Sequence, residues 1–93
     1  MTDEKTVAVR LEGRVQGVWF RAWTQEEALA RGLRGHVRNE TDGSVTALLS
    51  GPEEAVRGML EALHDGPPAA RVEKVEAREV EAPAELHGFQ IVR

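Results

Sequence analysis

An α+β fold of the order βαββαβ is predicted, with an antiparallel four-stranded sheet, both helices on one of its faces and a short additional strand at the C-terminus. Val7, Val9 and Leu11 alternate with Ala8, Arg10 and Glu12, the period of two that marks a strand with one buried face. Val56, Met59, Leu60 and Leu63 recur at i, i+3, i+4 and i+7, the spacing of a helix with one apolar stripe. Between them, the polar run Glu40-Thr41-Asp42-Gly43 separates two strand-like segments and reads as a hairpin loop. The arrangement that satisfies this order is a ferredoxin-like plait, and residues 1–93 are expected to form a single domain.

The first strand runs to about Gly13. From Phe20 to Arg31, Ala22, Gln25, Glu26, Ala28, Leu29 and Ala30 favour helix, and Gly32 supplies the stop. Phe20, Trp23, Thr24 and Ala28 fall on one side of that helix. Leu33 to Asn39 has strand length, with Leu33, Gly35 and Val37 on one face, and Val45 to Leu49 is its hairpin partner. Gly51-Pro52-Glu53-Glu54 opens the second helix, with proline read as the first helical residue and carboxylates where the dipole favours them. That helix ends at Asp65-Gly66-Pro67-Pro68. Val72, Val75, Ala77 and Val80 suggest a fourth strand with an irregular register, and Phe89 and Ile91 a short fifth.

The chain has 93 residues, 16 acidic against 12 basic, and no cysteine. The cysteine count excludes a disulfide framework, thiolate metal ligands and a cysteine nucleophile, and the net charge of -4 argues against coating a phosphate backbone. Apolar runs such as Ala47-Leu48-Leu49 are far short of the ~20 residues that span a bilayer. Met1-Thr2-Asp3-Glu4-Lys5 has no signal-peptide pattern, so a cytoplasmic location is expected. Small size and dispersed acidic charge make a monomer the expectation.

The densest chemical signal is Gly13-Arg14-Val15-Gln16-Gly17-Val18-Trp19-Phe20-Arg21, a glycine-bounded loop that leaves a strand and enters a helix. Such a turn aims several backbone N–H groups at one point beside the positive end of the helix, which suits a phosphate or a carboxylate. Arg21, in the first helical turn, can grip two oxygens of the same anion with its forked guanidinium. Two glycines at a turn also serve geometry alone, and a surface arginine also merely solvates a face; spacing by itself leaves both readings open.

Chain geometry brings a second residue to the loop. The helix from Arg21 to Arg31 travels about 15 Å away, and the strand from Leu33 to Asn39 returns about 20 Å. A right-handed crossover makes this strand parallel to the first, which places Asn39 at the sheet edge that carries the glycine loop. An asparagine before a hairpin also simply begins a turn.

Gly13 to Arg21 resembles the first signature of the acylphosphatase family, G-x-V-Q-G-V-x-F-R, and Gly35-His36-Val37-Arg38-Asn39, followed by Gly43-Ser44-Val45 and Gly51, resembles the second. The resemblance extends from Val7 to Phe89-Gln90-Ile91. It implies hydrolysis of acyl phosphates, with Val15, Gln16, Gly17, Val18, Trp19, Phe20 and Arg21 holding the phosphoryl group and Asn39 orienting the attacking water. It also implies inorganic phosphate or sulfate as a ligand and no cofactor. Departures are His36 where the family usually has an aromatic, Trp19 where glycine, phenylalanine or tyrosine is more familiar, and Arg31 where a leucine often closes the helix.

What the sequence lacks agrees with that chemistry. Acyl phosphate hydrolysis expels a carboxylate whose conjugate acid has a pKa of about 4, so no general acid is required. No paired-aspartate metal site and no GxxxxGK[ST] loop is present, and His36, His64 and His87 share no metal-ligand spacing on one element, so no metal is expected. Positioning and electrostatic stabilisation remain. A nucleic-acid-binding plait would stack bases on aromatics of its central strands. Here the outward positions are Ala8, Arg10 and Glu12 on one strand and Thr46, Leu48 and Ser50 on the other, so no nucleic-acid partner is expected. The remaining alternative is a regulatory plait that binds a small anion in the same loop without turnover.

Overall fold

Residues 3–93 are described by a computed structural model; the reading of the first five residues therefore lies partly outside the described residues. Seven elements follow in the predicted order: β1 (Glu4–Arg14), α1 (Phe20–Ala30), β2 (Arg34–Asn39), β3 (Val45–Pro52), α2 (Glu53–Asp65), β4 (Arg71–Glu79) and β5 (Phe89–Val92). The strands form one sheet in the order β4-β1-β3-β2-β5. β1 is antiparallel to β3 and β4, and β3 to β2. The short fifth strand joins the same sheet, parallel to β2, so the sheet has five strands rather than four and a separate piece. No helix among the described residues is long and apolar enough to cross a membrane.

The alternation in β1 turns Val7, Val9 and Leu11 into one buried layer with Val37 of β2 and Val45, Ala47 and Leu49 of β3. Phe20 and Ala28 of α1, and Val56, Met59 and Leu63 of α2, enter that same cluster, which puts both helices on one face. Truncating a fully buried side chain here, such as Met59→Ala, would cost about 2–5 kcal/mol. α1 stops where Gly32 donates to the Leu29 carbonyl at 3.0 Å and Leu33 to that of Ala28 at 2.9 Å, the paired bonds of a Schellman motif. Arg31 is the C-cap, and its guanidinium lies 2.8 Å from Glu27 one turn back.

Three expectations are corrected. Pro52 ends β3 and stands at the N-cap, so α2 begins one residue later, at Glu53. Leu48 and Ser50, read as outward and exposed, are buried, because β3 is central and flanked by β1 and β2; the Ser50 hydroxyl pairs with that of Thr6 at 2.7 Å. Leu33 precedes β2 rather than starting it, although its side chain is buried as expected.

The irregular spacing of Val72 and Val75 has a specific cause. Glu12 pairs with Lys74 and Gly13 with Val72, which leaves Glu73 as the extra residue of a bulge. The bulge turns both valines toward the core, against which they pack. Gly13 is required opposite it: with φ of 125°, a Cβ there would lie 2.2 Å from the Arg71 carbonyl oxygen.

Candidate active site

Between β1 and α1 the chain makes a loop that is anchored by apolar side chains. Val15, Val18 and Phe20 are buried at 0%, 5% and 2% exposure, so their side chains pin the loop to the core and only their backbone faces outward. Gly17 has φ of 73° and Trp19 φ of 63°, on either side of Val18. Left-handed residues at such positions curl successive N–H groups toward one side, the geometry of an anion nest. Among the described residues, none of the N–H groups of residues 15–20 donates to a backbone carbonyl. They lie beside the N-terminus of α1, whose partial positive charge adds to theirs.

Arg21 follows in the first turn of α1, half-buried. Five of the ten arginines are answered by carboxylates among the described residues: Arg10 by Asp42, Arg31 by Glu27, Arg34 by Glu4, Arg38 by Glu40 and Arg57 by Glu53. Among the described residues no carboxylate lies within ion-pair distance of Arg21. Asn39, the last residue of β2, shares with it a cleft of about 450 Å³ that Val15, Gly17, Trp19 and Phe20 also line. Its Oδ1 is buried without a hydrogen-bond partner. A buried acceptor left unsatisfied costs ~1–3 kcal/mol, so this atom is poised to receive an O–H or N–H from whatever enters.

Gln16 and Val18 do not line the cleft. The Gln16 side chain is a strut instead: its Nε2 donates to the carbonyl oxygens of Glu40 and Ser44, both at 2.8 Å. Those carbonyls belong to the loop that follows Asn39, so a single amide ties the nest to the hairpin carrying the asparagine. The hairpin is stiffened further by Asp42, which accepts from the Ser44 hydroxyl at 2.6 Å and the Ser44 N–H at 3.0 Å. The hydroxyl, followed by Arg10, holds the Asp42 carboxyl well below the usual carboxylate range.

Sequence reasoning missed Ala22, Ile91 and Arg93, which complete the cleft lining. β5 runs parallel to β2, with Val37 opposite Ile91 and Arg38 opposite Val92, so its last residues reach the edge where Asn39 ends β2. The Gln25 side chain donates to the Phe89 carbonyl at 2.8 Å and fixes β5 against α1. No local signal announces a pairing across some fifty residues of chain.

The histidines stand apart from the cleft. His64 lies in the last turn of α2, at the negative end of the helix dipole. His36 is half-buried on the open sheet face with Nδ1 shut off from partners. Burial first, and then the Arg38 charge, lower its pKa. Among the described residues no three His, Cys, Asp or Glu side chains converge as metal ligands would.

The acylphosphatase family profile matches residues 7–91. An acylphosphatase of Sinorhizobium medicae (strain WSM419) is 55% identical over 94 residues, covering 98% of this chain and 97% of that one. Among solved structures, the acylphosphatase from Bacillus subtilis superposes with a TM-score of 0.90 at 39% identity, covering 95% of this chain and 98% of the other. The acylphosphatase from Coxiella burnetii gives 0.92 at 30% identity, covering 97% and 94%. Sequence and fold agree over nearly the whole length, and the chain belongs to the acylphosphatase family.

Proposed function

We propose that the chain hydrolyses acyl phosphates to a carboxylate and inorganic phosphate, with the nest and Arg21 holding the phosphoryl group and Asn39 positioning the water. The observation that carries this reading is the meeting, in one cleft, of an arginine without a carboxylate partner and an asparagine whose buried Oδ1 has no partner. The phosphoryl oxygens accept from the N–H groups of the loop and from the two arms of the guanidinium. Asn39 Oδ1 accepts a hydrogen bond from the water and turns an oxygen lone pair toward phosphorus.

Attack forms a new P–O bond as the bond from phosphorus to the acyl oxygen breaks. The electron pair leaves on the carboxylate, which needs no proton because its conjugate acid has a pKa of about 4. An amide is no base, so the water's proton passes to a phosphoryl oxygen of the product. Charge in a loose phosphoryl transition state is spread over the equatorial oxygens, where the nest and Arg21 act. The route calls on no metal and no cofactor. A single-domain, cytoplasmic monomer with inorganic phosphate or sulfate as product-like ligand completes the reading.

The test is phosphate release from benzoyl phosphate beside an alkyl phosphate monoester, with and without EDTA. Release from the acyl phosphate alone, unchanged by the chelator, is the expected result. No release, or activity abolished by EDTA and restored by Mg²⁺, overturns the mechanism.

A further inference from the structure

Resting on that reading, we infer that the side chains of Trp19 and Ile91 form the acyl-binding part of the same cleft and favour substrates with a flat apolar acyl group. Among the described residues only three large apolar side chains are exposed, Trp19 at 83%, Leu29 at 53% and Ile91 at 36%, and two of the three line this one cleft. Leu29 does not. They come from opposite ends of the chain, Trp19 from the entrance of α1 and Ile91 from the parallel strand β5. Their juxtaposition is therefore a product of the fold.

Trp19 is also the only residue other than glycine with positive φ among the described residues. A bulky residue in the left-handed region is a genuine outlier, and strain of this kind gathers at functional sites. Stability alone would place a glycine there and no indole in water. The cleft, at about 450 Å³, falls within the roughly 300–1,000 Å³ of small-molecule pockets and has room for more than a phosphate group. With the phosphoryl group in the nest, the acyl group would meet the apolar residues of the cleft, among which Trp19 and Ile91 are exposed while Val15 and Phe20 are buried.

The experiment compares kcat/KM on benzoyl phosphate with that on acetyl phosphate for the wild type, Trp19→Gly and Ile91→Ala. Glycine accepts the backbone angle at position 19, so the first variant keeps the loop; any general disturbance of the nest affects both substrates and cancels in the ratio. The wild type should prefer benzoyl phosphate. Trp19→Gly should lower the benzoyl-to-acetyl ratio about tenfold, mainly through KM, the size expected for losing a ring contact; Ile91→Ala should lower it about threefold. A ratio unchanged in both variants, with both substrates still hydrolysed, overturns the inference and leaves the function standing. Hydrolysis of neither substrate by the wild type overturns both.

Discussion

Two concavities lie on different parts of the sheet, and the larger one is the less suited to bind an anion. Over the open face, Arg10, Arg38, Glu40 and Thr46 line a depression of about 540 Å³. Among the described residues its charges are matched except for Arg78, and the buried Nδ1 of His36 also lacks a partner there. Arg10 donates to Asp42, Arg38 Nε lies 2.9 Å from Glu40, and Glu40 also accepts from the Thr46 hydroxyl at 2.6 Å. Those two donors, the hydroxyl foremost, lower the Glu40 pKa and keep it an anion. At the sheet edge the cleft is smaller, yet it gathers a nest of free N–H groups, Arg21 and the unpartnered Asn39 Oδ1. The comparison teaches that unmet hydrogen-bonding capacity gathered at one point, rather than volume, is what recommends a cleft as a binding site.

The sharpest way to break that contrast is to remove one arginine from each concavity. Arg21→Gln should lower kcat/KM on an acyl phosphate by about 10³, since a charge-assisted bidentate contact is lost. Arg38→Gln, whose partner is Glu40, should change it by less than about twofold. Equal losses in steady-state kinetics would mean that the open face takes part in the reaction. Next in size is Asn39→Ala, expected to lower kcat by about 10². Its proposed partner is water, so competitive inhibition by inorganic phosphate should persist with little change. Normal turnover would return Asn39 to the role of a turn residue.

A smaller effect distinguishes the two regions without turnover. Phosphate at ten times its Kd should stabilise the native state by about 1.4 kcal/mol, a rise in melting temperature of several degrees for a domain of this size. Arg21→Gln should lose that rise and Arg38→Gln should keep it. An equal rise in all three proteins would show that the anion acts on bulk hydration.

The smallest expected effect belongs to the hairpin between the regions. The Asp42 pKa is lowered by the Ser44 hydroxyl and Arg10, so its contribution to stability is present above the usual carboxylate pKa and is lost as pH falls below it. Asp42→Ala should therefore melt a few degrees below wild type at neutral pH, and the gap should narrow progressively on acidification below pH ~4. A gap that stays constant from neutral to acid pH would assign the loss to packing instead of charge.

Where interactions are local, the sequence by itself determined the outcome. Alternation in β1, the i, i+3, i+4, i+7 stripe of α2 and the Gly32 stop each depend on neighbours within a few residues, and each is found as read. The loop from Val15 to Arg21 was legible for the same reason, and Asn39 through the fixed rise per residue of one helix and one strand. Tertiary structure decided what depends on long-range pairing. The burial of Leu48 and Ser50 follows from the central place of β3. The strut from Gln16 to the hairpin spans 24 and 28 residues. The parallel seating of β5 on β2, which delivers Ile91 and Arg93 to the cleft, has no counterpart in any window of sequence, because a four-residue strand carries too little periodicity to name its partner.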